Sequence, residues 1–413
     1  MAAIGGGAEG VPLMADNVWI IGAAMTKFGR YPEQDVVDLA SGAALDAMTD
    51  AGATIHDMNV MAVGSQFEMF TLGQRIQKQI GQTGIACYNV SNACATGASA
   101  VRTVIMAIKA GEADMGLAIG AEQMGKAGLL GNAGQARDKK NVFEPDGRYG
   151  NVMPVEGVIG TGVMPGVFAQ AGMAYAAEND GVGFEQFAKI AEKNHKHSSL
   201  NPLAQYQKIF SLDEIMGSPM QAYPNTLLMC CPTGDGAAAV VLVSEKKLKT
   251  LDPDVRKRAV KISASVMTSD PWVEEGQVQP DVNTLTRLAA DQAYEESGVD
   301  PGDLDLVELH DCFATAELIH YDNLRLCEPG GAGDFIDSGA PMRDGKIPVN
   351  VSGGLISKGH PIGATGAANI YEVATHLRGE AGDRQIPDAK VGLTHVIGLG
   401  SACSVHILEK QAV

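Results

Sequence analysis

The sequence predicts an α/β protein assembled from two similar halves. Segments of the first half recur in the same order in the second half. Within each half, short Val/Ile-rich runs alternate with longer alanine-rich helical patterns, which is typical of β-α-β units with mostly buried strands. The 413 residues are enough for one large or two ordinary domains with well-buried cores.

Five pairs of segments define the repeat. They are 20–26 with 262–268, 51–67 with 297–313, 89–98 with 350–354 and 364–367, 113–120 with 389–396, and 234–243 with 398–408. Between the fourth and fifth pairs the offset falls from 276 to 164, so the first half carries about 112 additional residues at roughly 121–233. Within the third pair the offset rises from 261 to 269, so the second half has gained eight residues around GLISKGHP. We therefore predict halves at 17–250 and 256–413, with a large insertion in the first.

Composition and charge restrict the partners and the compartment. A formal net charge of −18 and a pI near 4.9 argue against nucleic acid or an anionic membrane as the main partner. The sequence has no apolar run of about 20 residues, no secretory signal pattern and no peroxisomal address at its C-terminus. Its seven cysteines follow no disulfide framework. We therefore expect reduced thiols, no membrane insertion and a cytoplasmic location.

Cys94 is the strongest candidate nucleophile. In NVSNACATGASAVRTVIMAIKAG (89–111), an apolar strand end runs into a sharp turn at Cys94, and a helical pattern follows. The positive end of the helix dipole favours a thiolate, so we expect a lowered thiol pKa. The backbone N–H of Cys94 also points to where an acyl oxygen could bind. An isolated cysteine is more often a small buried packing residue, so the reactive interpretation depends on a base close by.

His360 is the candidate base. It lies in GGLISKGHPIG (353–363), inside the eight-residue insertion and just before the second-half counterpart of the Cys94 helix. If the two halves pack about a pseudo-twofold axis, both helix N-termini converge on one site. His360 could then be a general base for the Cys94 thiol or an oxyanion donor. The alternative is a histidine in a surface turn.

A second candidate group lies in VELHDCFATAEL (307–318), where a buried strand ends and a helix begins. Side chains that contact ligands collect at such strand ends in α/β sheets. His310 could polarise a thioester oxygen, and Cys312 could move a proton at the α-carbon of the substrate. Asp311 and Glu317 are expected to be structural, as a helix cap and an orienting carboxylate.

Other histidines and cysteines are weaker candidates. His195 and His197 lack a third clustered ligand, which favours a solvated or structural role over a metal site. We expect Cys230 and Cys231 to be packing residues or the start of a strand, and Cys403 to be a core residue. The sequence has no phosphate-binding loop and no zinc-type spacing, so we expect no metal.

Taken together, NACATGA, HDCF, GGLISKGHPIGATG and the Gly-rich closing strand resemble the thiolase superfamily. The HDCF form, with KNHKHS and CCPTGDGAAA, resembles the sterol-carrier-protein-linked thiolases of fatty acid and sterol side-chain metabolism. The resemblance covers the chain from about residue 17 to the end. It implies a five-layered α-β-α-β-α fold, a homodimer or homotetramer, and an inserted loop domain over a coenzyme A pocket.

The resemblance also implies roles for single residues. Cys94 corresponds to the acylated nucleophile and His360 to its base. His310 stands where most thiolases have asparagine and contributes to the oxyanion hole of the enolate. The thioester oxyanion hole uses the backbone N–H groups of Cys94 and Gly398.

The chain departs from the common thiolase pattern at the second catalytic cysteine. Most thiolases carry it in a Cys-x-Gly segment, whereas this chain has Val396-Ile397-Gly398 there, and Cys403 comes seven residues too late. In thiolases of the HDCF type, Cys312 is the natural replacement, and we adopt it as the acid/base.

The resemblance, together with these residues, implies the function of a 3-ketoacyl-CoA thiolase, an acyl-CoA C-acyltransferase. It exchanges acyl groups between acyl-CoA and CoA through acyl-Cys94, by ping-pong thiolysis or the reverse Claisen condensation, without a metal or redox cofactor. Three alternatives remain. A ketoacyl-synthase-type condensing enzyme is disfavoured by the HDCF and GHP pair, and a thiolase-like retro-aldolase with a small partner protein by the intact Cys94 motif. A non-catalytic acyl-CoA or lipid carrier would leave the four reactive side chains without a purpose.

Overall fold

The computed structural model describes residues 17–68, 70–124, 163–271, 282–399 and 401–410. The strands are β1 (Val18–Met25), β2 (Val60–Gly64), β3 (Ala86–Val90), β4 (Met115–Gln123), β5 (Met220–Ala222), β6 (Asn225–Thr226), β7 (Asp235–Ser244), β8 (Val260–Thr268), β9 (Leu306–Glu308), β10 (Val391–Gly398) and β11 (Ala402–Lys410). The α-helices are α1 (Val36–Asp50), α2 (Leu72–Ile80), α3 (Thr96–Lys109), α4 (Val163–Glu178), α5 (Phe184–Ser198), α6 (Leu212–Met216), α7 (Glu245–Leu248), α8 (Pro253–Arg258), α9 (Val282–Ser297), α10 (Ala314–Asn323), α11 (Ala332–Asp337) and α12 (Thr365–Arg378). Among the described helices, none combines the length and apolar character that a bilayer span requires.

The main sheet is symmetric about its middle. Its strand order is β3-β2-β4-β7-β1-β8-β11-β10-β9. The two halves join where Val18–Ile20 pairs antiparallel with Val260–Ile262. Outward from this junction, each half continues with two antiparallel pairings and then a parallel one. The first half ends with β3, whose counterpart in the second half is reduced to a parallel bridge between Val307 and Val349.

This symmetry matches the repeat in the sequence. The paired segments fall on β1 and β8, β2 and β9, β4 and β10, and β7 and β11, with α3 and α12 as the matching helices. The predicted duplicated α/β fold is therefore confirmed. The limits of the two halves stay a prediction, and residues 125–162 of the predicted insertion lie outside the described residues.

Three layers of helix enclose the two halves of the sheet. Helices α1 and α2 cover the outer face of the first half, and their apolar side chains share one buried core with it. Helices α3 and α12 contact each other between the two halves, in a second core. Helices α9 and α10 share a third core with the outer face of the second half. The arrangement is the expected α-β-α-β-α sandwich.

Two glycines let the central helices approach each other backbone to backbone. A methyl group on Gly97 would lie 2.7 Å from the carbonyl oxygen of Gly363, and one on Gly366 would lie 2.4 Å from the backbone nitrogen of Ala98. Side-chain carbons do not come this close to backbone atoms, so both positions require glycine. As a result, the N-terminal ends of α3 and α12 meet, and the turn before α3 lies beside the loop before α12.

Helices α4 and α5 belong to the predicted insertion but pack on the second half. Both contact α10, and α5 also contacts the π-helical turn Gly354–Lys358. Phe168 of α4 and Phe187 of α5 lie in the same buried core as Phe313, which precedes α10. Contacts from the insertion therefore hold both segments of the second half that carry candidate site residues.

Candidate active site

The turn that carries Cys94 is fixed by its own hydrogen bonds. The backbone N–H of Asn92 donates to the hydroxyl of Thr96 at 2.8 Å, and the N–H of Thr96 donates to the carbonyl of Ala93 at 3.1 Å. Ala93 has a φ of 48°, a left-handed conformation that reverses the chain between β3 and α3. The turn leaves the Cys94 side chain 6% exposed and facing a cavity.

The base predicted for this thiol is in contact with it. Nε2 of His360 lies 3.2 Å from the Cys94 sulfur, and Nδ1 lies 2.6 Å from the Thr365 hydroxyl. That hydroxyl has one hydrogen and also contacts the carbonyl of Pro361 at 3.1 Å. Both contacts are satisfied when the hydroxyl donates to Pro361 and accepts from Nδ1–H. Nε2 is then the unprotonated nitrogen, directed at the thiol.

Burial keeps this pair neutral in the free protein. It raises the pKa of the Cys94 thiol to about 12, against a smaller lowering by the residue's own backbone N–H. It also lowers the pKa of His360 to about 3, with the nearby Lys358 acting in the same direction. The lowered thiol pKa expected from the helix terminus is therefore wrong, because desolvation of the buried thiolate has the largest effect on this pKa.

His310 and Cys312 line the same cavity from the loop between β9 and α10. The rings of His310 and His360 meet edge to face with centroids 5.4 Å apart. A ring nitrogen of each histidine and the Cys94 sulfur all lie within 4.8 Å of one another. Burial, followed by the neighbouring His360, lowers the pKa of His310 well below its usual value, and burial raises that of Cys312. The structure thus brings all four predicted side chains together, although their roles stay predictions.

Asp311 and Glu317 tie the His310 segment to the loop of His360. The Asp311 carboxylate accepts hydrogen bonds from the backbone N–H groups of Leu355, at 2.7 Å, and Ile356, at 3.3 Å, in the π-helical turn. Glu317 forms a fully buried ion pair with Lys193 at 2.8 Å. Both carboxylates also accept from the side-chain amide of Asn194, at 2.8 Å for Asp311 and 2.6 Å for Glu317.

Cys231 is a cavity residue that the sequence reasoning assigned to packing. Cys230 forms an antiparallel bridge with Phe313, and the backbone N–H of Cys231 donates to the carbonyl of Cys312 at 2.9 Å. The side chain of Cys231 lines the cavity, whereas the thiol of Cys230 contacts the carbonyl of Thr226 at 3.1 Å. Neighbouring residues of an extended segment point to opposite sides, so one thiol of the pair could have been expected to face the site.

Gly398 lies against the turn that carries Cys94. A methyl group on Gly398 would lie 2.3 Å from the carbonyl oxygen of Asn92 and 3.3 Å from the backbone nitrogen of Ala95. The position therefore requires glycine, and its backbone is next to that of Cys94. This proximity is what a shared oxyanion hole needs.

His195 and His197 connect the insertion to the second half. The ring nitrogens of His195 bond to the carbonyl of Leu228, at 3.1 Å, and the hydroxyl of Ser357, at 3.0 Å. Those of His197 bond to the carbonyl of Asn350, at 3.0 Å, and the backbone N–H of Arg343, at 3.1 Å. Both rings are thus engaged by protein groups, as a structural role requires.

The cavity itself is largely apolar. Its lining consists of three thiols, two imidazoles and apolar side chains, namely Cys94, Met164, Phe168, Cys231, His310, Cys312, Phe313, His360, Ile362 and Leu399. Met164 and Phe168 come from α4 of the insertion, and Phe168 packs on Phe313 with ring centroids 5.7 Å apart. The cavity therefore combines apolar surface with the sulfur and nitrogen atoms of the five candidate side chains.

Comparison with known proteins agrees with the fold and the motifs. Residues 18–246 match the family model described as "Thiolase, N-terminal domain", and residues 276–410 match "Thiolase C-terminal domain-like". Sterol carrier protein 2 of Bos taurus is 41% identical over 96% of this chain and 73% of that protein, and an acetyl-CoA acetyltransferase of Methanothermobacter thermautotrophicus is 34% identical over 95% and 100%. A solved structure of an Ltp2-ChsH2(DUF35) aldolase superposes with a TM-score of 0.78 at 22% identity, covering 97% of this chain and 100% of that one. With both halves matched and relatives at this identity over nearly its whole length, the chain belongs to the thiolase family.

Proposed function

We propose that the protein is an acyl-CoA C-acyltransferase of the 3-ketoacyl-CoA thiolase type. The observation that carries the proposal is the 3.2 Å contact between the Cys94 sulfur and Nε2 of His360. A thiol with an oriented base at this distance is the arrangement that covalent acyl transfer needs. Its metabolic setting would be fatty acid or sterol side-chain metabolism, in the cytoplasm.

The first half-reaction forms the acyl-enzyme. The 3-keto carbon of the substrate binds beside Cys94, His360 takes the thiol proton, and the sulfur attacks that carbon. Cleavage of the bond between the α- and β-carbons leaves the acyl group on Cys94 and releases an acetyl- or propionyl-CoA enolate. The enolate oxygen accepts hydrogen bonds from His310 and His360, and Cys312 protonates the enolate carbon.

The second half-reaction transfers the acyl group to CoA. The CoA thiol gives its proton to the Cys312 thiolate and attacks the thioester carbonyl. Backbone N–H groups of Cys94 and Gly398 stabilise the tetrahedral oxyanion. The Cys94 sulfur leaves and recovers its proton from His360. All steps balance without a metal or redox cofactor, with CoA acting as substrate and product.

We propose a homodimer formed along β3, and a tetramer would pair two such dimers. β3 is an edge strand of the sheet, and its residues are mostly half-buried or exposed. Nearby large apolar side chains are also exposed, including Tyr88 at 46% and Phe70 at 92%. An open strand edge beside apolar surface is a template for pairing with a second copy. Sedimentation of the wild type and of Tyr88→Lys tests this, since the substitution should shift the protein towards monomer.

A retro-aldolase is the second candidate, favoured by the structural likeness to the aldolase chain. Aldol cleavage of a carbon–carbon bond does not need an acylated cysteine, whereas thiolysis does. The two candidates therefore differ in what they require of Cys94. A carrier role, suggested by the name of the sterol carrier relative, requires no covalent step at all.

One experiment separates the thiolase from the other two candidates. The protein is incubated with acetoacetyl-CoA, and peptides are analysed by mass spectrometry for an acyl adduct on Cys94. Cys94→Ala is the test variant, and Cys403→Ala, a buried thiol outside the cavity lining, is the control. We expect an adduct in the wild type and the control, and loss of thiolysis in Cys94→Ala. No adduct, with full activity in Cys94→Ala, would exclude the thiolase mechanism.

A further inference from the structure

Five soft ligand groups converge on the cavity. Cys94, Cys231 and Cys312 supply thiols, and His310 and His360 supply imidazoles, from four separate segments of the chain. Thiolate sulfur and imidazole nitrogen are the donors that zinc prefers. We propose that this cavity is a binding site for Zn²⁺, formed by Cys94, His310 and His360 with Cys312 as the fourth ligand.

The distances suit a tetrahedral ion after a small adjustment. Zn–S bonds of about 2.3 Å and Zn–N bonds of about 2.0–2.1 Å in a tetrahedron place ligand atoms roughly 3.3–3.8 Å apart. The Cys94 sulfur and His360 Nε2 are 3.2 Å apart, and the three groups Cys94, His310 and His360 already lie within 4.8 Å of one another. The Cys312 sulfur is not part of this 4.8 Å group, so the Cys312 side chain has to rotate towards the ion to become the fourth ligand.

Each of the two histidines offers a ring nitrogen as a zinc ligand, for a different structural reason. Nδ1–H of His360 is held by Thr365 at 2.6 Å, so the lone pair of Nε2 faces the thiol, as it does in zinc sites whose ligands are oriented by outer partners. His310 is 1% exposed, and its Nδ1 has no hydrogen-bond partner among the described residues. One ring nitrogen of His310 lies within 4.8 Å of the Cys94 sulfur and of a ring nitrogen of His360, so this ring offers a ligand atom to the site.

The charge of the zinc ion indicates that the fourth ligand is a second thiolate. An ion of charge +2 is unfavourable in an apolar cavity unless two anionic ligands neutralise it. Two thiols bind with release of two protons, which gives a neutral complex of zinc with two thiolates and two neutral imidazoles. Cys312 is preferred over Cys231 as the second thiolate because it is two residues from His310, and one loop then supplies two ligands.

Zinc at this position would block the nucleophile without taking part in acyl transfer. Thiolysis should therefore be inhibited by Zn²⁺ and restored by a chelator. Prior acylation of Cys94 should protect the enzyme, because a thioester sulfur is a poor zinc ligand. Binding is measured directly, so failure of the zinc site and failure of the acyltransferase function are separate outcomes.

The test uses the full chain freed of metal with a chelator. Calorimetry with ZnCl₂ in buffers of different ionisation enthalpy gives the stoichiometry and the number of protons released, and Co²⁺ reports thiolate ligation through its charge-transfer band. We expect one zinc and two protons per chain. Cys94→Ser and His360→Ala should each weaken binding by more than about 100-fold, since loss of an outer partner alone costs about 10–100-fold. The buried thiol variant Cys403→Ala should bind as the wild type does.

Three results would overturn the proposal. Zinc bound by Cys94→Ser as tightly as by the wild type would place the metal elsewhere, as would a Co²⁺ complex without a thiolate band. Release of a single proton, unchanged in Cys312→Ser, would remove Cys312 from the site. If His360→Ala does not fold, as judged by circular dichroism, Cys94→Ser carries the test because it exchanges one atom.

Discussion

Thr365 is the residue whose replacement tests the geometry of the proposed base most directly. Its hydroxyl is fully buried, contacts Nδ1 of His360 at 2.6 Å and also bonds to the carbonyl of Pro361. Thr365→Val keeps the shape of the side chain but removes the acceptor. Nδ1–H is then a buried donor without a partner, and the ring can relax to the tautomer that carries hydrogen on Nε2. That tautomer cannot accept the Cys94 proton.

The size of the effect follows from the cost of an unpaired buried group. Leaving a buried donor unsatisfied costs about 1–3 kcal/mol, which corresponds to roughly 5–150-fold in rate if the cost falls on the reactive tautomer. Thr365→Ser keeps the hydroxyl and should acylate within a few-fold of the wild type. The prediction is therefore a difference in acylation rate between Thr365→Val and Thr365→Ser.

The assay is rapid-quench acylation of Cys94 by acetoacetyl-CoA, followed by mass spectrometry. Nitrogen NMR of labelled histidine provides a second measurement, because hydrogen on Nδ1 or on Nε2 gives different ring-nitrogen shifts. We expect the wild type and Thr365→Ser to carry hydrogen on Nδ1. Equal acylation rates for valine, serine and wild type, with an unchanged tautomer in the valine variant, would refute the assignment of Thr365 as the residue that orients the base.

Three further predictions concern the second thiol, the oxyanion hole and acid stability. Cys312→Ala should lose deuterium wash-in at the acetyl methyl group while still acylating Cys94, and Cys231→Ala should retain it; the reverse pattern would make Cys231 the acid/base. Gly398→Ala should reduce both thiolysis and the thermal midpoint, because its methyl group would lie 2.3 Å from the Asn92 carbonyl oxygen. Burial lowers the pKa of His406 to about 3, so its stabilising contribution is complete above about pH 6.5 and is lost as the pH falls towards 3. Between pH 7 and 5 this shift lowers the free energy of unfolding by about 2 kcal/mol. The free energy of unfolding of His406→Asn, measured by urea denaturation, should therefore fall by about that much less over this pH range than that of the wild type.

The fold could be predicted because buried strands and helices have recognisable patterns of apolar residues. β1 and β8, or β4 and β10, are strands in equivalent layers, and similar surroundings keep similar apolar runs. The same reasoning located the insertion through the change of offset. It did not show that α4 and α5 pack on the second half, since a helical pattern indicates an apolar face but not the partner that covers it.

Sequence motifs predict individual site residues, but they do not show which distant segments of the chain come into contact. Cys94, His310, Cys312 and His360 were chosen from motifs, and the structure places them around one cavity. Cys231 was missed because its contact with Cys312 joins segments 81 positions apart. The zinc site proposed above has the same origin, because its ligands follow no local spacing. The sign of the Cys94 pKa shift was wrong because the helix terminus can be read from the sequence and the depth of burial cannot.

The arrangement of charges around the cavity suits the catalytic roles that we propose for the neutral thiol of Cys94 and the neutral imidazole of His360. The cavity lining contains no carboxylate, lysine or arginine among the described residues, and two buried ion pairs lie behind it, Lys193 with Glu317 and Lys358 with Glu308. In the proposed reaction, transfer of the Cys94 proton creates an imidazolium at His360 as the attacked substrate acquires its negative charge, first on the tetrahedral intermediate and then on the departing enolate. The two charges therefore arise together, and Nε2–H of His360 becomes a donor for the enolate oxygen. A thiolate–imidazolium pair at rest would have a high desolvation cost in this apolar cavity. A site that is neutral at rest and charged only during turnover avoids that cost.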